Sequence, residues 1–185
     1  MNQSPMIRGK TVVLRKPKES DILDRFKCGR SKELVRMYGG DTRHLKPFTM
    51  EDAKKFVDSV LSHELDWCIE FKGRCIGQTR LTLSREDYRA RYAIGIFDTS
   101  ELGKGLGTEV TLLVLRYAFE ELKLHRVDLR VLEYNHRAIA CYEKCGFMKE
   151  GIEREGVFIE GKFETDVFMS ILDREYAAKK GTFVQ

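Results

Sequence analysis

The stretch from Ala93 to Phe147, AIGIFDTSELGKGLGTEVTLLVLRYAFEELKLHRVDLRVLEYNHRAIACYEKCGF, decides the fold. It reads as strand, glycine loop, helix, strand, short loop, helix. Ala93-Ile94-Gly95-Ile96-Phe97 is a continuous apolar run suited to a strand buried on both faces. Leu102-Gly103-Lys104-Gly105-Leu106-Gly107-Thr108 follows, and a helical pattern starts directly after it. Glycines at alternate positions leave the backbone uncovered, so its N–H groups can approach an anion. The helix start adds unpaired donors and the positive end of its dipole. Phosphate binding is the first functional expectation.

Outward from this stretch, Val12-Val13-Leu14-Arg15 is a short strand ended by Pro17, and Ser20 or Asp21 can cap a helix carrying Ile22, Leu23 and Phe26. Tyr38-Gly39-Gly40-Asp41 is a turn, and the residues from there to Phe48 show no clear periodicity. Thr49 caps a second helix, with Asp52 at capping-box spacing. Trp67 to Phe71, Ile76 to Leu83 and Arg91 to Phe97 read as an antiparallel meander, turned first at Lys72-Gly73-Arg74. After the glycine loop comes a helix apolar nearly all round, which implies central burial. Val127, Leu129 and Val131 alternate with charged residues as the next strand. Asn135 caps a helix that stops at Gly146, and Phe147 to Leu172 reads as two strands turned at Glu160-Gly161-Lys162. The tail from Tyr176 to Gln185 is expected to be loose.

At 185 residues the chain suits one domain. Its net charge of +4 is too small and too dispersed for nucleic-acid binding. Cys28, Cys68, Cys75, Cys141 and Cys145 form no C-x-x-C pair, so reduced cytoplasmic thiols are expected. Cys141 and Cys145 lie one helical turn apart with no histidine at ligand spacing, and no metal is expected. Met1 to Arg8 has no signal-peptide core, and no segment approaches the ~20 apolar residues needed to cross a bilayer.

The glycine loop has several readings. A P-loop fails because Lys104 is followed by Gly105, not by a Mg²⁺-binding hydroxyl. A dinucleotide fold is suggested by Asp128, 21 residues after Gly107, but the spacing is G-x-G-x-G and the motif follows antiparallel strands. A tight turn that merely packs helix on strand is the purely structural reading.

Gly103-Lys104-Gly105-Leu106-Gly107-Thr108-Glu109, with Asn135-His136-Arg137-Ala138 and Tyr142-Glu143-Lys144-Cys145-Gly146-Phe147 about thirty residues on, closely resembles the GNAT N-acetyltransferases. Val13-Leu14-Arg15-Lys16-Pro17 with Asp21 is similar to the branch holding ribosomal-protein and spermidine N-acetyltransferases. The resemblance covers Ile7 to Leu172. It implies an α/β GNAT-like acyl-CoA N-acyltransferase fold, with a mixed, mostly antiparallel sheet of about seven strands and helices on both faces. It implies that acetyl-CoA lays its pyrophosphate on Leu102 to Thr108, with Leu102 replacing the family's usual Gln or Arg. Lys104 either adds charge near the phosphates or points to solvent. The pantetheine arm is expected to bond the main chain of Gly95, Ile96 and Phe97 in the manner of an added strand, with Arg126 to Val131 beyond it.

By the same resemblance Asn135 bonds pantetheine or caps its helix, and Tyr142 is the general acid that protonates the departing thiolate. Ala93 stands where many relatives carry a basic glutamate, and Glu70, Asp98, Glu101 or a water chain are the substitutes. The acceptor is a primary amine of open identity: a protein N-terminus, a polyamine or another small amine. A non-catalytic acetyl-CoA-binding module is the alternative. Ile152 to Phe158 is an edge able to pair with a second copy in a homodimer.

Overall fold

A computed structural model of the chain describes residues 4–183. Its strands are β1 (Ile7–Arg8), β2 (Val12–Arg15), β3 (Asp66–Phe71), β4 (Arg74–Ser84), β5 (Arg89–Ile96), β6 (Arg126–Leu132), β7 (Met148–Ile159) and β8 (Lys162–Leu172). They join in the order β1-β2-β3-β4-β5-β6-β8-β7, an eight-stranded sheet in which β5–β6 is a parallel pair. The sheet is of the expected kind with one more strand than expected. The additional strand is the two-residue β1, too short for any alternation to show. Contacts group the chain into two compact units, each built from several segments.

The first unit comprises Met1–Ser31, Lys46–Thr82 and Ala93–Leu113. β2 pairs antiparallel with β3, and β3 with β4, around the fully buried Val12, Leu14, Trp67, Ile69 and Ile76. The β3–β4 turn uses Lys72 at φ 50° and Gly73 at φ 77°. Helix α1 (Ser20–Cys28) begins at Ser20, and its N-cap is Glu19 rather than Ser20 or Asp21, with no side-chain cap bond. Asp21 has another task. Its two oxygens take Arg15 Nη1 and Nη2 at 2.6 and 2.9 Å, and Oδ2 also takes the Lys18 N–H. Farther along the chain, α3 (Met50–Ser62) carries the expected Thr49–Asp52 capping box.

The second unit comprises Lys32–Leu45, Leu83–Tyr92 and Val114–Gln185. It contains α2 (Lys32–Met37), a helix the sequence did not announce: six residues give too few turns for a period. The parallel ladder joins Arg89–Arg91 of β5 to Arg126–Asp128 of β6, and β6 then pairs along its length with β8. Where a loose tail was expected from Tyr176 to Gln185, Asp173–Phe183 forms a helix, numbered α6 once α4 and α5 are placed below, and Val184 and Gln185 lie outside the described residues. Tyr176 anchors it, stacked on Phe119 at 5.1 Å with its hydroxyl donating to Glu120 at 2.8 Å. Among the described residues no helix is long and apolar enough to cross a membrane.

Candidate active site

In the first unit, a 3₁₀ turn at Thr99–Glu101, capped by Asp98, leads into the glycine loop, and α4 (Leu106–Arg116) begins inside it. Gly103 and Gly105 stand at φ 77° and 80°, the left-handed region that glycine enters without strain. A Cβ at either position would meet nothing within 4 Å, so the glycines serve backbone conformation and an open approach, not packing. The N–H groups of residues 103–107 donate to no acceptor among the described residues. Residues 103–105 are exposed, so these donors are open to water or to a ligand that replaces it. Lys104 is exposed but does not stand alone. Its Nζ lies 2.7 Å from Glu101 Oε2, and Glu101, buried, also faces Arg74 at 3.8 Å.

β5 leads into this loop. Thr79 Oγ1 donates to Ala93 O at 3.1 Å, and Phe97 N–H donates to Ile76 O at 2.7 Å. A Cβ on Gly77 would collide with Gly95 O, so glycine is required there. These three facts place the main-chain polar groups of Ala93, Gly95 and Phe97 on the β4 side. Strand alternation then turns those of Ile94 and Ile96 to the other edge. Gly95 and Phe97 thus direct their main-chain polar groups toward β4.

In the second unit, α5 (His136–Lys144) starts at Asn135, whose Oδ1 accepts the Ala138 N–H at 3.2 Å. Its Nδ2 donates to Met37 O at 3.2 Å, so the side chain both caps α5 and holds the end of α2. Tyr142 packs on Tyr92 and Phe147 at centroid distances of 6.3 and 5.8 Å. Burial, and secondarily the neighbouring Cys141, Tyr38 and Cys145, raises its phenol above the usual value of 10.0. It remains protonated throughout the physiological range.

The substitute bases are all engaged. Glu70 is paired with Lys18 at 2.9 Å and Arg15 at 2.5 Å, and Lys18 first among its partners lowers its pKa. Asp98 accepts Ser100 N–H and Oγ and faces Arg74 at 3.2 Å; the Ser100 hydroxyl bond is the main cause of its lowered pKa. Carboxylates so held are weak bases. Asp128, the acid of the dinucleotide reading, is bound by Arg91 at 3.0 Å. For metals, Asp21, Cys68 and Cys75 bring ligand atoms within 4.8 Å of one another. Both Asp21 oxygens already serve Arg15, and Cys75, by hydrogen bonding, pushes the Cys68 thiol up, so this donor set does not suit a cation.

With this geometry in place, residues 11–148 match the acetyltransferase (GNAT) domain family. The chain belongs to the GNAT acetyltransferases, and the dinucleotide reading is set aside. A Bacillus subtilis (strain 168) protein assigned as an N-acetyltransferase, YjcK, is 46% identical over 81 residues, covering 43% of this chain and 45% of that protein. Spermidine N(1)-acetyltransferase of Escherichia coli (strain K12) is 32% identical over 120 residues, 64% of each chain. Matches to the first curated relatives thus span about half of their length. A crystal structure of spermidine N-acetyltransferase from Vibrio cholerae with CoA and spermine superposes with a TM-score of 0.73 at 23% identity, covering 90% of this chain and 98% of that one.

Proposed function

We propose that the chain transfers the acetyl group of acetyl-CoA to a primary amine by direct attack. The observation that carries this reading is the run of N–H donors at 103–107, without protein acceptors among the described residues, at the start of α4. A diphosphate fits that donor set, which combines main-chain N–H groups with a helix N-terminus. Leu102 to Thr108 hold the pyrophosphate mainly through the main chain, and Lys104 contributes little because Glu101 neutralises it. The pantetheine arm is assigned to the β5 edge over Gly95, Ile96 and Phe97, with Gly95 and Phe97 shaping that edge from the β4 side. Asn135 acts by capping α5, which fixes the helix carrying Tyr142.

In the reaction the amine nitrogen bonds to the thioester carbonyl carbon, the C–S bond breaks, and the thiolate takes the Tyr142 proton. Water takes the amine's proton and returns it to the Tyr142 phenolate, so the cycle closes on the amide and free CoA thiol; Glu70 and Asp98 are held as ion-paired carboxylates. Acetyl-CoA turnover against a panel of amines tests the reading. Transfer above background supports it, and CoA binding without transfer to any amine favours the non-catalytic module that Ala93 suggests. The edge from Ile152 to Phe158 on β7, with both of those residues exposed, is where a second copy would pair, which a molar mass from light scattering checks.

A further inference from the structure

The sheet face around Ala93 carries a guanidinium, that of Arg80. β4 and β5 form a hairpin across Ser84 and Arg89, and Phe97 N–H bonds Ile76 O at its other end. Counting inward from either end sets Arg80 opposite Ala93. Side chains of directly opposed residues share a face, with Cα atoms about 4.5–5.5 Å apart. The burial pattern agrees: Ala93 is exposed and Gln78 and Arg80 half-buried, while Thr79 and Leu81 between and beyond them are buried.

Arg80 is also held from behind. Asp66 lies opposite it on β3 and is fully buried, and its Oδ2 accepts Arg80 Nε at 2.7 Å. The two Asp66 oxygens take Gln78 Nε2 at 2.9 and 2.8 Å, and the Asp66 main chain is bonded to the Ser4 hydroxyl. Only Nε of the guanidinium is consumed. Its two Nη groups have no acceptor among the described residues. A buried carboxylate that fixes the orientation of an arginine while leaving its fork unused presents a preset oxyanion receptor.

We propose that Arg80 is a specificity-determining residue that binds a carboxylate or phosphate on the amine acceptor. The inference rests on the acetyl-transfer reading above. It selects amines bearing an oxyanion a few bonds from the nitrogen and disfavours polycations. Asp66 is the positioning residue behind it.

The test compares kcat/KM for Ala-Ala with its C-terminal amide, for phosphoethanolamine with ethanolamine, and for spermidine, in wild type, R80K and R80Q, with CoA affinity and thermal melting measured alongside. A charge-assisted bond predicts that at least one anionic acceptor exceeds its neutral partner roughly ten- to hundred-fold, mostly through KM. Which pair shows it identifies the anion as carboxylate or phosphate. R80Q brings that ratio to within about twofold of one, and R80K keeps part of it. Equal rates within both pairs in wild type, faster transfer to spermidine than to all others, or a ratio that survives R80Q would overturn the proposal while leaving the transferase reading standing. No transfer to any acceptor by a protein that binds CoA would overturn both.

Discussion

Glu109 Oε1 accepts the main-chain N–H of Thr11 at 2.7 Å, tying the end of the Gly-Lys-Gly-Leu-Gly-Thr-Glu run to the turn between β1 and β2, 98 residues away. The same carboxylate accepts the Val12 N–H at 3.2 Å and the Thr11 hydroxyl. It sits in the first turn of α4, where negative charge is favoured. Glu109 thereby fixes the start of the helix whose N-terminus is assigned to the pyrophosphate.

Glu109→Ala is expected to cost ~1–2 kcal/mol, a hydrogen-bonded charge discounted for its partial exposure. Burial works against the ionised form, but the Thr11 bonds prevail and lower its pKa from 4.5. A depressed carboxylate stabilises above its unfolded value and loses that contribution as pH falls through its folded value. The difference in melting temperature between wild type and Glu109→Gln should therefore be full at pH 7 and shrink below about pH 4.5. A difference constant from pH 7 to pH 3 contradicts the assignment.

Gly105→Ala places a Cβ in open space, so its cost is the left-handed backbone alone, about 1–2 kcal/mol. Because that backbone aims the donors, CoA affinity should fall at least tenfold on the order expected for lost charge-assisted bonds. Lys104→Ala should change affinity by less than about threefold, since its charge already serves Glu101. Calorimetry with CoA separates the two; equal losses would show that the side chain does the binding.

Tyr142→Phe should lower kcat on the order of 10²-fold, the usual worth of a positioned acid, with CoA affinity and melting temperature nearly kept. Tyr92 and Phe147 pack the ring either way. Since burial raises the phenol above 10.0, the wild-type rate should show no loss from Tyr142 ionisation below that pH. An alkaline limb near pH 8 that Tyr142→Phe abolishes would contradict this.

Much of the fold was legible because its signals are local. Thr49 and Asp52 announce α3, Glu160-Gly161 announces the last hairpin with φ 54° and 84°, and Asn135 announces α5. The exceptions depend on distant partners. α6 has charges on every side, and only Tyr176 meeting Phe119 and Glu120 gives it a place. Asp21 looks like a cap in sequence and is the anchor of Arg15 in space. At the site, the glycine loop was readable from spacing alone. The edge on which Gly95 and Phe97 present their main chain was not, because it depends on the register with β4, set by Ile76 and Gly77. Arg80 gave no signal either: its place beside Ala93 appears only when two strands are laid together.

The central claim is that the main-chain N–H groups of residues 103–107 bind a diphosphate. The direct measurement is a titration of ¹⁵N-labelled protein followed by amide resonances. CoA should shift Gly103, Gly105 and Gly107 strongly, and pantetheine, which lacks the diphosphate, should leave them in place. Resonances unmoved by CoA, or moved equally by pantetheine, would contradict the account.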